Sequence, residues 1–117
     1  MAGAVRRLET TEGKLVAEHV VEARSTGSRF IGLMFRRSLP AGHGLALQPC
    51  NSIHMFFMRF PLDVAFLDKD GRVLRVYHGL RPWRVSRIVR RAKSAIELPA
   101  GTLAAIGVEK GAYLRLV

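Results

Sequence analysis

The chain carries one cysteine, Cys50, in 117 residues. That excludes an intramolecular disulfide and any structural zinc site built on several thiolates, and it points to a reducing compartment. Acids are also scarce: nine Asp and Glu stand against nineteen Lys and Arg, a formal charge of +10. No apolar run approaches the roughly 20 residues a membrane helix requires. Residues 1–9 hold no long apolar segment behind their arginines, so no signal peptide is expected and a cytoplasmic location is. There is no internal repeat, no low-complexity tract and no glycine-rich phosphate loop. Glu97 and Glu109 form no recognisable acid/base pair.

What remains is enough for one globular domain. Almost half the residues are apolar, which argues against disorder, and the length fits one core. The positive charge clusters once: Arg81, Arg84, Arg87, Arg90, Arg91 and Lys93 fall in thirteen residues without an acid. Such a run is either a solvated basic loop or a docking surface for nucleic acid or an acidic partner.

Residues 1–12 read as a flexible arm and 13–117 as the domain. The stretch 14–23 has the mixed alternation of a strand covered on both faces, with Leu15, Ala17, His19 and Val21 on one side. Ser25, Thr26 and Ser28 are N-cap candidates for a short helix over 29–36. Short strands are expected at 44–48 and 53–58. A hairpin joins 62–67 to 72–77 through Asp70-Gly71. In it Leu62, Val64 and Phe66 face one way, and Asp63, Ala65 and Leu67 the other. A strand at 94–98, a helical turn at 103–106 capped by Thr102 and closed by Gly107, and a strand at 112–117 complete the chain. The expected fold is mainly β: a compact sandwich or barrel-like domain of six to seven short strands with one or two short helices.

Four segments stand out together: Arg29-Phe-Ile-Gly-Leu-Met-Phe-Arg36, Cys50-Asn-Ser-Ile-His-Met-Phe-Phe-Met58, Pro61-Leu-Asp-Val-Ala-Phe-Leu-Asp68 followed by Gly71-Arg-Val, and Glu97-Leu-Pro-Ala-Gly101. In this order and spacing the chain resembles the prokaryotic family catalogued as domain of unknown function 192, from about Val16 to Val117. The resemblance implies a compact, mainly-β domain with one short helix after the first strand. It implies no activity, because the family has none established. Met55 stands where the motif histidine would be followed by a threonine.

The candidate chemistry lies in those segments. Cys50 and His54 are close enough in sequence to form a thiolate–imidazolium pair, a nucleophile with its base, or to contribute two metal ligands; the structural alternative is a buried small thiol and a histidine hydrogen-bonded at a strand end. His19, His43, His78 and Asp63 add no recognisable ligand spacing, and no cofactor is expected. Arg29, Arg36 and Arg59 with His54 and Asp63 suggest a pocket for a small anionic ligand or a partner chain's end. Asp63, in an apolar run, requires a cationic or hydrogen-bonding partner, and pairing with one of the arginines is the favoured form. Trp83 reads as a core or lid residue, or as a stacking surface among arginines. Met34, Met55 and Met58 read as core. The leading reading is a non-enzymatic binding module with a polar pocket at Arg29, Arg36, Cys50, His54, Arg59 and Asp63. The rivals are an enzyme using Cys50, and docking of nucleic acid or an acidic partner on the 81–93 segment.

Overall fold

A computed structural model describes residues 4–24 and 33–117. Its strands are β1 (Val5–Thr10), β2 (Leu15–Ala23), β3 (His43–Leu47), β4 (Leu62–Leu67), β5 (Val73–Leu80), β6 (Ser94–Pro99) and β7 (Leu114–Leu116). One short helix, α1 (Thr102–Ile106), precedes β7. The strands form one sheet in the order β5-β4-β6-β3-β2-β1-β7. Only β2 and β3 run parallel among these neighbours. The sheet curls without closing into a barrel. Its two ends approach where Leu114 N–H donates to the Gly71 carbonyl at 2.9 Å and Val73 N–H to that of Ala112 at 2.8 Å.

The mainly-β expectation therefore holds, and so does the period-2 reading of β4. Leu62, Val64 and Phe66 enter one apolar cluster, with Leu45, Leu47, Ile53, Met55 and Met58. Ala65 and Leu67 enter the other, with Leu8, Val20, Ile96, Leu98 and Leu103. The second cluster fills the hollow of the curled sheet under α1. The first lies on the sheet's outer face, under two irregular segments, 50–60 and 81–93. Those segments carry the candidate site.

Several local readings change. Residues 5–10, read as part of an arm, form β1: Leu8 is fully buried and pairs with both Ala17 of β2 and Leu116 of β7. The simple alternation of β2 is broken, since register shifts in the β1 pairing put neighbouring Val16 and Ala17 in the same cluster. Residues 53–58 make one bridge, His54 to Val85, and then turn, so no strand forms there. The N-cap candidates and most of the helix expected over 29–36 lie outside the described residues. Its end, 33–36, is a turn with Phe35 at a φ of 67°.

The β4–β5 hairpin depends on Gly71. Its φ of +84° suits glycine, and a Cβ there would collide with the Leu114 carbonyl oxygen. Gly71→Ala should lower the thermal midpoint by 10 °C or more, as about 2–3 kcal/mol of combined strain and lost hydrogen bonding would in a domain of this size. A melting curve within 2 °C of the parent would refute this.

Candidate functional site

Three β-turns meet on the outer face. Each is closed by a hydrogen bond between its ends: Arg36 N–H to the Leu33 carbonyl at 3.3 Å, Met58 to Met55 at 3.2 Å, and Arg84 to Arg81 at 3.3 Å. In each, the third residue has positive φ: Phe35 at 67°, Phe57 at 62° and Trp83 at 69°. This is the type II position, which glycine normally fills. Pro82 supplies the favoured second residue of the third turn. An L-residue in the left-handed region costs about 1–2 kcal/mol, and for a bulky side chain it is a true outlier.

The middle turn holds the other two. Phe35 N–H donates to the Phe57 carbonyl at 3.1 Å, and Trp83 N–H to that of Met55 at 2.7 Å. Met55 N–H donates in turn to the Arg84 carbonyl at 2.7 Å. The Met55 and Met58 side chains, read as core, are buried beneath. The aromatic rings go the other way. Phe35 is 64% exposed, Phe57 47% and Trp83 59%. Ring centroids are 5.2 Å apart for Phe35 and Phe57, and 4.9 Å for Phe57 and Trp83. Phe56 stacks on His54 at 5.1 Å and extends the cluster. Trp83 is thus an exposed residue, not a core one, because its turn points it away from the cluster that the methionines fill.

The basic segment runs on from this patch. Residues 84–93 are tied along 50–55 by Ser86 N–H to the Ile53 carbonyl, Val89 to Asn51, and Cys50 N–H to Lys93. Ser86 and Val89 point inward, while Arg84, Arg87, Arg90, Arg91 and Lys93 are exposed, as is Arg81. None of these six pairs with an acid among the described residues; the ion pairs there involve Glu9 and Glu22. At the Lys93 end opens a cleft of about 420 Å³, lined by Arg24, Gln48, Pro49, Lys69 and Lys93.

The residues of the expected polar pocket are only partly brought together. Arg36 and Arg59 are exposed and flank the aromatic turns. His54 is half-buried, and its Nδ1 accepts the Phe56 N–H at 3.2 Å. In its neutral form the imidazole then carries its proton on Nε2. Cys50, at the far end of the strap, points its Sγ at the Ser52 carbonyl, 3.1 Å away. Arg29 lies outside the described residues. Asp63 belongs elsewhere: it sits on the opposite face of β4, fully buried, and among the described residues no arginine pairs with it. Its Oδ1 accepts the Gly79 N–H at 2.9 Å, and its Oδ2 the N–H groups of Gly101 at 3.1 Å and Leu103 at 2.9 Å. It thereby caps α1 from another strand. Thr102, expected to be the cap, instead donates its hydroxyl to the Pro99 carbonyl at 2.7 Å. The required partner is thus the hydrogen-bonding one, supplied by backbone donors in place of the favoured arginine.

Among the described residues no three His, Cys, Asp or Glu side chains are grouped to hold a metal ion. The His19 and His43 rings lie 4.4 Å apart across β2 and β3 without a third such partner. No helix among them is long and apolar enough to cross a membrane.

A family model, that of domain of unknown function 192, described as an uncharacterised ACR, matches residues 7–116. The chain belongs to this family. A UPF0127 protein of Pyrococcus furiosus is 36% identical over 109 residues, covering 89% of this chain and 91% of the relative. One from Thermococcus gammatolerans is 33% identical over 108 residues, covering 89% and 70%. Two crystal structures share the fold. A Sinorhizobium meliloti protein, provisionally described as a transcription regulator, has a TM-score of 0.84 at 26% identity, covering 99% of this chain and 96% of its own. A Novosphingobium aromaticivorans protein of unknown function has a TM-score of 0.82 at 22% identity, covering 96% and 84%.

In this member of the family, sequence reasoning passed over Phe35, Phe56 and Phe57 because they sit in apolar motifs that read as core. Two signals pointed the other way. Pro82-Trp83 is the centre of a turn, which places Trp83 at a tip. The adjacent Phe56 and Phe57 cannot both face one core from an extended strand.

Proposed function

We propose that this domain is a non-enzymatic binding module whose ligand face is the aromatic cluster on the three turns, with the basic segment beside it, and whose ligand is anionic. The observation that carries this is the exposure of Phe35, Phe57 and Trp83 side by side, each at a position where the backbone favours glycine. Strain of this kind collects at binding sites, because folding alone gains nothing from it. An exposed apolar patch on this scale marks an interaction surface. Arg36, Arg59, Arg81 and Arg84 beside the rings supply charge for an anion. The Sinorhizobium protein's provisional description as a transcription regulator is in keeping with an anionic ligand.

Trp83 is the only tryptophan, so its fluorescence reports on the face directly. Titration at low salt with a single-stranded oligonucleotide, polyglutamate and anionic vesicles should perturb that emission with at least one of them. Phe57→Gly should weaken the binding about tenfold while keeping the thermal midpoint within about 3 °C, since relief of φ strain offsets glycine's entropy, each about 1 kcal/mol. An unmoved Trp83 with all three ligands, or full binding by the glycine variant, would overturn the reading.

A further inference from the structure

We infer that the ligand of this face is single-stranded nucleic acid, with bases stacked on the turn-tip rings and phosphates held along the arginines that follow; this rests on the binding-face reading above. The charge distribution supports it first. All nine acids lie in residues 9–22, 63–70 and 97–109. The stretches 23–62 and 71–96, which supply all three turns and the basic segment, contain none. The face is therefore cationic with no acid from its own segments to repel a phosphate backbone.

The order of features along the face supports it next. Rings come first, at Phe35, Phe57 and Trp83. Exposed cations follow in a line from Arg84 to Lys93, held by hydrogen bonds to the 50–55 strap. The line ends at the cleft where Lys69 and Arg24, the latter paired with Glu22, join Lys93. A linear polyanion with flat side groups matches this succession. Nonspecific single-strand binding combines such stacking rings with a basic track. An acidic polypeptide would satisfy the track but has no flat rings in its carboxylates to place on the exposed faces.

The choice of cation points the same way. Five of the six basic residues from Arg81 to Lys93 are arginines. Guanidinium pairs with phosphate through two parallel hydrogen bonds and also stacks on bases, which an ammonium cannot do. Arg91 repeats the device of the aromatic tips. It stands third in a turn closed by Ala92 N–H to the Val89 carbonyl at 3.2 Å, with a φ of 70°. That backbone strain presents a cation on the same track.

The test is Trp83 fluorescence titration of the whole chain with an unstructured oligonucleotide of about 12 nucleotides. Quenching is expected, with affinity falling about 50-fold between 50 and 200 mM salt, as release of counterions from about four phosphates requires. An abasic strand of equal length should bind at least tenfold more weakly. Arg87→Gln combined with Arg90→Gln should flatten the salt dependence. Phe57→Gly should leave its slope unchanged and lose about tenfold in affinity. Equal binding of the abasic strand overturns the proposal. So does a response to polyglutamate without one to the oligonucleotide, which would leave the binding face standing with an acidic polypeptide as its ligand. Silence from every polyanion would remove both readings.

Discussion

Replacing Asp63 with alanine should cost about 4 kcal/mol of folding stability. The carboxylate is fully buried and accepts three backbone N–H groups, from Gly79, Gly101 and Leu103. Alanine strands all three donors, and each buried unsatisfied group costs about 1–3 kcal/mol. Partial relaxation and water entry set the total nearer the low end of that sum. Domains of this size have about 5–15 kcal/mol in hand, so the loss is a large share. The conservative Asp63→Asn keeps the Gly79 bond through its carbonyl oxygen but turns an amide N–H₂ toward the donors of Gly101 and Leu103. It should lose about 2–3 kcal/mol. Urea unfolding of both variants measures this, and a loss below 1 kcal/mol for the alanine variant would show that the three hydrogen bonds contribute little. Trp83 lies on the other side of β4, so the asparagine variant, where folded, should keep any ligand response of the aromatic face. That separates a structural role for Asp63 from the ligand role first expected of it.

Much of the frame was legible before the structure. The β4–β5 hairpin is marked by Asp70-Gly71 and by strict alternation, and both survive because β4 is paired on both edges and covered on both faces. The close of α1 at Gly107 is likewise a local matter of φ, observed at 82°. What was illegible depends on distant partners. Residues 5–10 look like an arm until β7, a hundred residues later, returns to pair with them. Thr102 is a good cap by residue type, but Asp63, almost forty residues earlier, reaches the helix first. The proposed face was half visible: the charge of 81–93, Arg36, Arg59, His54 and, as one of its readings, Trp83 were singled out, and the phenylalanine rings were not. Apolar patterning measures hydrophobicity, and it cannot distinguish a ring packed in a core from one lifted out of it by a left-handed turn residue. The Pro82-Trp83 pair carries that information because proline fixes the backbone before the tip.

Glu97 should make this protein lose stability as the pH rises from 5 to 8, the reverse of what a salt-bridged carboxylate does. It lies in β6 between Leu45 of β3 and Val64 of β4, on the sheet face that the Met55 strap covers. Burial among these apolar side chains pushes its carboxyl from 4.5 up to about 8. A raised acid in the folded state means that folding takes up a proton. Below the unfolded value there is no penalty. Between pH 4.5 and 8 the unfolded chain is ionised while the folded one is still protonated, so stability falls continuously, and above 8 it levels off. The full span amounts to about 5 kcal/mol as an upper bound. Glu97→Gln keeps the shape of the neutral acid and cannot ionise, so it should match the parent at pH 5 and exceed it by several kcal/mol at pH 8. The difference between the two proteins cancels every group that they share. Chemical denaturation at pH 5, 6, 7 and 8 supplies the comparison. Parallel curves would mean that Glu97 is already ionised and compensated in the folded protein at neutral pH. Diverging curves would mean that a proton-bearing carboxyl underlies the face on which the aromatic turns stand, and that rising pH loosens their support.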